Sequence, residues 1–224
     1  PAGNHQASGG NGAVAFAATG PTPRVKLSPR AYDVLEPLSG LLERVMLDER
    51  VRRPLATADN FRVLTAMTNL VRCGVRPALK GAIFKALAAC AKDAQIAPHI
   101  WAFIEEAQLV PTGSGGGGGA GEGQQGAPAS DYSQPRGLFA EMEQVESRDG
   151  TYPATEGFCC LIQELVQHDL PYNLGEKTRY RGAPGIQPYV AYLLNCVLIP
   201  ELRFADAGER WRLAARVLQV GAVG

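Results

Sequence analysis

The sequence predicts an all-α protein, an irregular α-solenoid of stacked helical hairpins of the HEAT/armadillo kind. Three observations predict it. Apolar residues recur at helical spacing, proline and capping residues stand where those stretches would begin, and strand signals are nearly missing. No long β-branched run alternates with period two. Asn11-Gly12 lies in a polar head and Asp149-Gly150 lies between helical patterns, so neither separates two strands. A compact helical bundle is the second architecture the pattern allows.

In chain order, residues 1–23 hold Gly, Ala, Ser and Asn with little to bury, and are expected to be disordered or loosely attached. A first helical part is expected over 24–110. Ser28-Pro29 reads as an N-cap followed by proline at the first helical position. Tyr32, Val34 and Leu35 follow, with an interruption expected near Pro37. Leu38, Leu41, Leu42, Val45 and Met46 then form an apolar stripe. Thr57 or Asp59 can cap a helix carrying Leu64, Met67, Leu70 and Val71, stopped by Gly74. Pro77 opens one with Ile83, Phe84, Leu87 and Cys90 facing a core, and Pro98 one running through Ile100, Trp101, Ile104 and Leu109.

Residues 111–136, centred on Gly115 to Gly119, read as a flexible loop, which is cheap to lengthen because closure entropy grows only logarithmically. A second helical part is expected over 137–224. It begins with a short acidic helix over 137–148. After Pro153, Phe158, Leu161, Ile162, Leu165 and Val166 make the clearest stripe of the chain. Pro188 opens a helix with Tyr189, Tyr192, Leu193, Cys196 and Val197. Asp206 caps the last, which carries Trp211, Leu213, Val217, Leu218 and Val220. The pair over 59–92 approaches the length of a HEAT-like or TPR-like unit, yet no strict repeat returns.

Bulk composition excludes several classes of function. The chain has 224 residues, with 22 Lys plus Arg against 22 Asp plus Glu, so it offers no global attraction to polyanions. No apolar run approaches the roughly 20 residues that span a bilayer, and no signal peptide opens the chain. A start at Pro1 and a stop at Gly224 read as boundaries within a longer protein. Cys73, Cys90, Cys159, Cys160 and Cys196 are odd in number and mostly set in apolar stretches, which fits reduced thiols in the cytosol or nucleus.

Each candidate for chemistry has a simpler reading. His5, His99 and His168 are scattered without metal-ligand spacing. Cys159-Cys160 lies between Phe158 and Leu161 on an amphipathic helix, where thiols pack as small hydrophobes. Asn173-Leu174-Gly175-Glu176-Lys177-Thr178 echoes a phosphate loop, but Glu176 separates the glycine from the lysine; the Gly115 run has no Gly-Lys-Ser/Thr after it. Glu105, Glu106, Glu141, Glu143 and Glu146 read as solvated faces. Arg50, Arg52 and Arg53 follow Asp48 and Glu49. Lys177, Arg179 and Arg181, with Tyr172, Tyr180 and Tyr189 nearby, form the small patch nearest to a single-strand binding pattern. No catalytic, cofactor or metal residue is assigned, and no small-molecule substrate or direct nucleic-acid contact is expected.

Two blocks carry a resemblance. The first runs from Val71-Arg72-Cys73-Gly74-Val75-Arg76-Pro77 through Cys90 to Ile100-Trp101 and Leu109. The second holds Glu146-Ser147-Arg148, Tyr152-Pro153-Ala154-Thr155, Phe158-Cys159, Leu170-Pro171, Asn173-Leu174-Gly175 and Pro188-Tyr189, and is extended by Arg203-Phe204, Glu209 and Trp211. Together they resemble the large inner-ring scaffold nucleoporins of the nucleoporin 205/192 family, over roughly residues 60–220 apart from the glycine loop. The resemblance implies an α-solenoid in the nuclear pore complex of the nuclear envelope. It would bridge other scaffold and linker nucleoporins within a large hetero-oligomeric assembly that supports nucleocytoplasmic transport of protein and mRNA, with no catalysis. It also implies fold-defining roles for Glu146, Arg148, Tyr152, Pro153, Thr155, Phe158, Leu170, Pro171, Asn173, Leu174, Gly175 and Trp211, but assigns no partner-binding residue. Another helical-solenoid adaptor, such as a transport receptor or trafficking scaffold, is the alternative.

Overall fold

A computed structural model describes residues 27–58, 61–107, 109, 138–168, 187–198 and 202–223. All regular structure among them is helical. The first helix, α1 (Pro29–Met46), begins as its sequence requires: the Ser28 hydroxyl accepts the Ala31 N–H at 3.3 Å and Pro29 takes the first turn. It does not break at Pro37. Pro37 and Asp33 both lie away from the buried line of the helix, so the carbonyl that loses its donor is on the solvent side and the helix continues.

The second helix, α2 (Glu49–Thr57), has no counterpart in the sequence reading, because its polar, arginine-rich segment lacks an apolar stripe. Asp48 starts it by accepting the Arg50 N–H at 2.9 Å. Thr57 is therefore not a cap for the next helix but the last residue of this one, and its hydroxyl donates to the Arg53 carbonyl. Asp59, the other candidate cap, lies outside the described residues. Helix α3 (Arg62–Arg72) starts instead at Phe61, held left-handed at φ 62° with no side-chain cap.

Helix α4 (Pro77–Ala91) is buried nearly all round, beyond the single face that its periodicity suggested. Helix α5 (Ala97–Ala107) has Pro98 in its first turn, as expected, and Asp93 orders the turn leading into it: its carboxylate accepts the Gln95 N–H at 2.8 Å and its carbonyl accepts from Ile96 and Ala97. Then come α6 (Leu138–Asp149), α7 (Pro153–Val166), α8 (Gln187–Tyr192) and α9 (Ala207–Val223). Helix α8 runs on into a π-helical stretch, Leu193–Leu198. Residues 1–23, the glycine loop and the Leu170 to Gly175 turn lie outside the described residues.

Helices α1, α4, α7 and α9 form a row: α4 packs between α1 and α7, and α9 packs on the far side of α7. Cross-contacts give their direction. Arg76 lies over the Tyr32 ring near the starts of α4 and α1. Lys85 pairs with Glu156 and Lys92 with Glu164, advancing along α4 and α7 together. Glu209 meets Tyr152 and Arg216 meets Glu156, advancing along α9 and α7 together. The row is parallel. An up-and-down bundle would set successive neighbours antiparallel, whereas helices one repeat apart in a solenoid run the same way.

One core joins the two halves of the chain. Phe84 of α4 meets Phe158 of α7 edge-on at 5.5 Å, and Trp101 of α5 meets Tyr189 of α8 at 5.2 Å. Two expected stripes divide on packing. In α1 the buried line is Tyr32, Leu35, Ser39, Leu42 and Met46, while Leu38 and Leu41 stay 45% and 57% exposed. In α9, Leu213, Val217 and Val220 are buried, but Trp211 is 72% exposed and Leu218 57%. Trp211 is thus no core residue among the described elements, because α9 turns its opposite side to α7.

Candidate functional site

The row is joined most closely where α7 begins. A Cβ at Gly81 would overlap the Pro153 carbonyl, and one at Gly157 would overlap the Gly81 carbonyl, so here α4 and α7 touch backbone to backbone. Only glycine permits that approach. The α7 start is then held from α6. Glu146, 1% exposed, accepts the Ala154 N–H at 2.6 Å, the Thr155 N–H at 3.4 Å and the Thr155 hydroxyl at 2.6 Å. A carboxylate at a helix N-terminus also meets the positive end of the helix dipole. Burial nevertheless pushes the Glu146 carboxyl up to about 7, against the lowering effect of those donors, and nearby Glu209 adds to the rise.

The same connector is tied to the entry of α9. Gly150, left-handed at φ 67°, ends α6 by donating its N–H to the Glu146 carbonyl, and its own carbonyl accepts the Ala205 N–H at 2.8 Å. Tyr152 donates its N–H to Glu209 Oε1 at 3.1 Å and its hydroxyl to the Arg203 carbonyl at 3.0 Å, with its ring against Phe204. Asp206 accepts the Gly208 N–H at 2.9 Å and so starts α9. The end of α6 and the starts of α7 and α9 are thereby locked in one polar knot.

Helices α1 and α9 flank a groove above the α4–α7 pair, lined by residues that include Leu47, Lys85, Lys92, Glu164 and Arg216. Its three cations are paired: Lys85 to Glu156 at 2.8 Å, Arg216 to Glu156 at 3.5 Å and Lys92 to Glu164 at 3.8 Å. Arg216 also donates to the Cys160 sulfur at 3.1 Å. Burial raises both thiols of the vicinal pair, with Arg216 partly opposing the rise at Cys160. A thiol held protonated is a poor nucleophile. Among the described residues no group of three or more His, Cys, Asp or Glu could hold a metal ion, and no helix is long and apolar enough to cross a membrane.

The structure brings together Glu146, Tyr152, Pro153 and Thr155 at the α6–α7 joint, with Phe158 further along α7 against Phe84 and Tyr189. Arg148 is exposed near the end of α6, and Trp211 stands away from the joint on the open side of α9. Glu146 is no solvated-face carboxylate: its neighbours along the chain do not reveal that α7 closes over it. In the first basic cluster Arg52 is buried, while Arg50 and Arg53 are exposed. Arg52 donates to the Met46 and Leu47 carbonyls at 2.7 and 3.0 Å, and Arg53 forks onto Asp93 at 2.9 Å. Lys177, Arg179 and Arg181 of the second cluster lie outside the described residues. His99 stacks on Phe61 at 4.1 Å, and its ring nitrogen meets the Gln95 carbonyl. The sequence reading does not single out Gly81 and Gly157, although a glycine inside a strong helical pattern signals close backbone approach.

Comparison with known proteins agrees with this architecture. The family described as "Nuclear pore complex scaffold, nucleoporins 186/192/205" matches residues 18–222. The match takes in α1 and α2, which the two sequence blocks do not reach. The Homo sapiens protein "Nuclear pore complex protein Nup205" is 31% identical over 177 residues, covering 77% of this chain and 8% of that protein. The Drosophila melanogaster protein of the same name is 28% identical over 202 residues, covering 89% of this chain and 9% of that protein. The chain therefore spans less than a tenth of the length of these curated relatives.

Proposed function

The chain belongs to the nuclear pore complex scaffold family of nucleoporins 186/192/205, and from that membership we propose that it is a structural segment of the pore's inner ring. In this reading it works by holding shape, as part of an α-helical scaffold that bridges other nucleoporins in the nuclear envelope and supports transport of protein and mRNA, without catalysing a reaction. The observation that carries the reading is the parallel row α1–α4–α7–α9 with its locked joint at Tyr152 and Glu146. A parallel row extends by adding repeats, so it can span distance. The joint resists bending where two repeats meet.

Cross-linking mass spectrometry of the intact assembly tests this. Lys85 and Lys92, at the groove, are expected to give links to other nucleoporins as well as within the chain. Absence of every intermolecular link from this segment, in an assembly that is otherwise well linked, would remove the bridging role.

A further inference from the structure

Two carboxyl groups from two different helices converge on the entry of α7. Glu146 of α6 accepts the Ala154 and Thr155 N–H groups on Oε1 and meets the Thr155 hydroxyl through Oε2. Glu209 of α9 accepts the Tyr152 N–H on Oε1 at 3.1 Å. From Tyr152 to Thr155, every residue that has an amide N–H therefore gives it to an acid, since Pro153 has none. Where two acids share a site, ionising one raises the cost of ionising the other.

Geometry decides which of them keeps a proton. Glu146 is 1% exposed, whereas Glu209 is half-buried and lines a pocket of about 290 Å³ with Tyr152, Glu156, Arg212 and Leu213. Burial penalises the charged form, so the proton belongs to Glu146, whose carboxyl is raised to about 7 chiefly by burial, with Glu209 adding to the rise. Oε1 already accepts two N–H groups, which leaves Oε2, against Thr155, to carry the proton. A hydroxyl accepts as readily as it donates, so the Thr155 contact survives in either state. The surrounding charges are taken up elsewhere. Glu156 is paired with Lys85 and Arg216, and Asp206 with Arg212. Arg148 and Asp149 of α6 are exposed, and the Cys159 thiol of α7 and Lys80 of α4 are buried.

We propose that the meeting of α6, α7 and α9 is a proton-operated hinge: with Glu146 protonated, Glu209 clasps α9 to the start of α7, and with Glu146 ionised, Glu209 lets go. Glu209 is the side that yields. Glu146 is fixed between α6 and α7 by three hydrogen bonds, while Glu209 holds the Tyr152 N–H and has open space beside Arg212, three residues on in its own helix. Two ties that precede α9 remain as the pivot, from the Ala205 N–H to the Gly150 carbonyl and from the Tyr152 hydroxyl to the Arg203 carbonyl. The backbone contact of α4 with α7 at Gly81 and Gly157 involves neither acid and stays closed. The hinge is therefore shut below about pH 7 and loosens the last helix of the row as pH rises through that value.

Hydrogen–deuterium exchange of the full-length protein from pH 6 to 8, corrected for the intrinsic pH dependence of exchange, tests the hinge. Protection at Tyr152 and over residues 207–213 is expected to fall roughly tenfold across that range, while α4 keeps its protection. Glu146→Gln presents a carbonyl to Ala154 and an amide N–H to Thr155, as the protonated acid does, and is expected to remove the fall. Glu209→Gln keeps the acceptor for Tyr152, takes away the repelling charge and is expected to remove it too. Protection at the start of α9 that ignores pH, or that is lost together with that of α4, would overturn the hinge. An undiminished fall in either variant would do the same, so the proposal stays testable if one of them does not fold. The scaffold reading survives each of those results, because it is judged by cross-links to other nucleoporins.

Discussion

Gly157 lies against the backbone of Gly81: a side chain at Gly157 would need the space that Gly81 occupies, and one at Gly81 would need that of the Pro153 carbonyl. Alanine at either position must push α4 and α7 apart against backbone, which cannot yield as a flexible side chain would. Gly81→Ala and Gly157→Ala are each expected to destabilise by about 1–3 kcal/mol, the usual range for overpacking. Gly40, in the middle of α1, has open space within 4 Å of the position a Cβ would take, so Gly40→Ala is expected to stabilise by about 0.5–1 kcal/mol. Denaturant midpoints of the three variants check the contrast.

The Glu146 carboxyl sets a pH dependence with a definite sign. Its value in the folded chain is about 7, above the 4.5 of an unperturbed carboxyl, so the folded state holds the proton more tightly. Its contribution is fully present below the unfolded value and is lost as pH rises through about 7. Across that window the loss is on the order of 3 kcal/mol. Glu146→Gln keeps an acceptor and removes the titration. Its stability is expected to stay flatter than that of the parent from pH 5 to 8, as followed by thermal melting.

Asp93 has the opposite sign. Burial opposes its ionisation, but the hydrogen bond from Arg53 and the backbone donors at Gln95 and Ile96 hold it below the usual carboxylate range. Its stabilisation is present above the unfolded value and is lost as pH falls through the lowered one. Asp93→Ala loosens the turn leading into α5 and is expected to cost about 1–2 kcal/mol at neutral pH, with a smaller deficit in acid. Urea titrations at neutral and acid pH check both figures.

Leu165 has no exposed surface and lies on the α7 face with Phe158, Leu161 and Ile162. Leu165→Asp places an unpaired charge there and is expected to abolish cooperative unfolding of the second half, read by near-ultraviolet circular dichroism and melting. A variant with unchanged melting would show that this face is not packed.

Helix starts are readable where the signal is local. Ser28-Pro29, Pro77, Pro153 and Asp206 each act on their own first turn, so the sequence places those helices within a residue or two. Helix α2 is not readable, since a short arginine-rich stretch has no apolar period to detect. Arg52 and Arg53 are recognisable as structural only when the Met46 and Leu47 carbonyls and Asp93 come within reach.

The all-α class, the apolar stripes of α4, α5 and α7, and the family resemblance over roughly residues 60–220 followed from the sequence by itself, because periodicity, capping and motifs are properties of neighbouring residues. Tertiary structure alone decided the parallel order of α1, α4, α7 and α9, which separates a solenoid from a bundle. It also decided which leucines of α1 and α9 are core and which are surface, and that Glu146 is a buried clasp rather than a solvated acid. Each of these depends on contacts between residues far apart in the chain. A helical stripe records that a face is apolar, and only the neighbouring helix determines whether that face is covered.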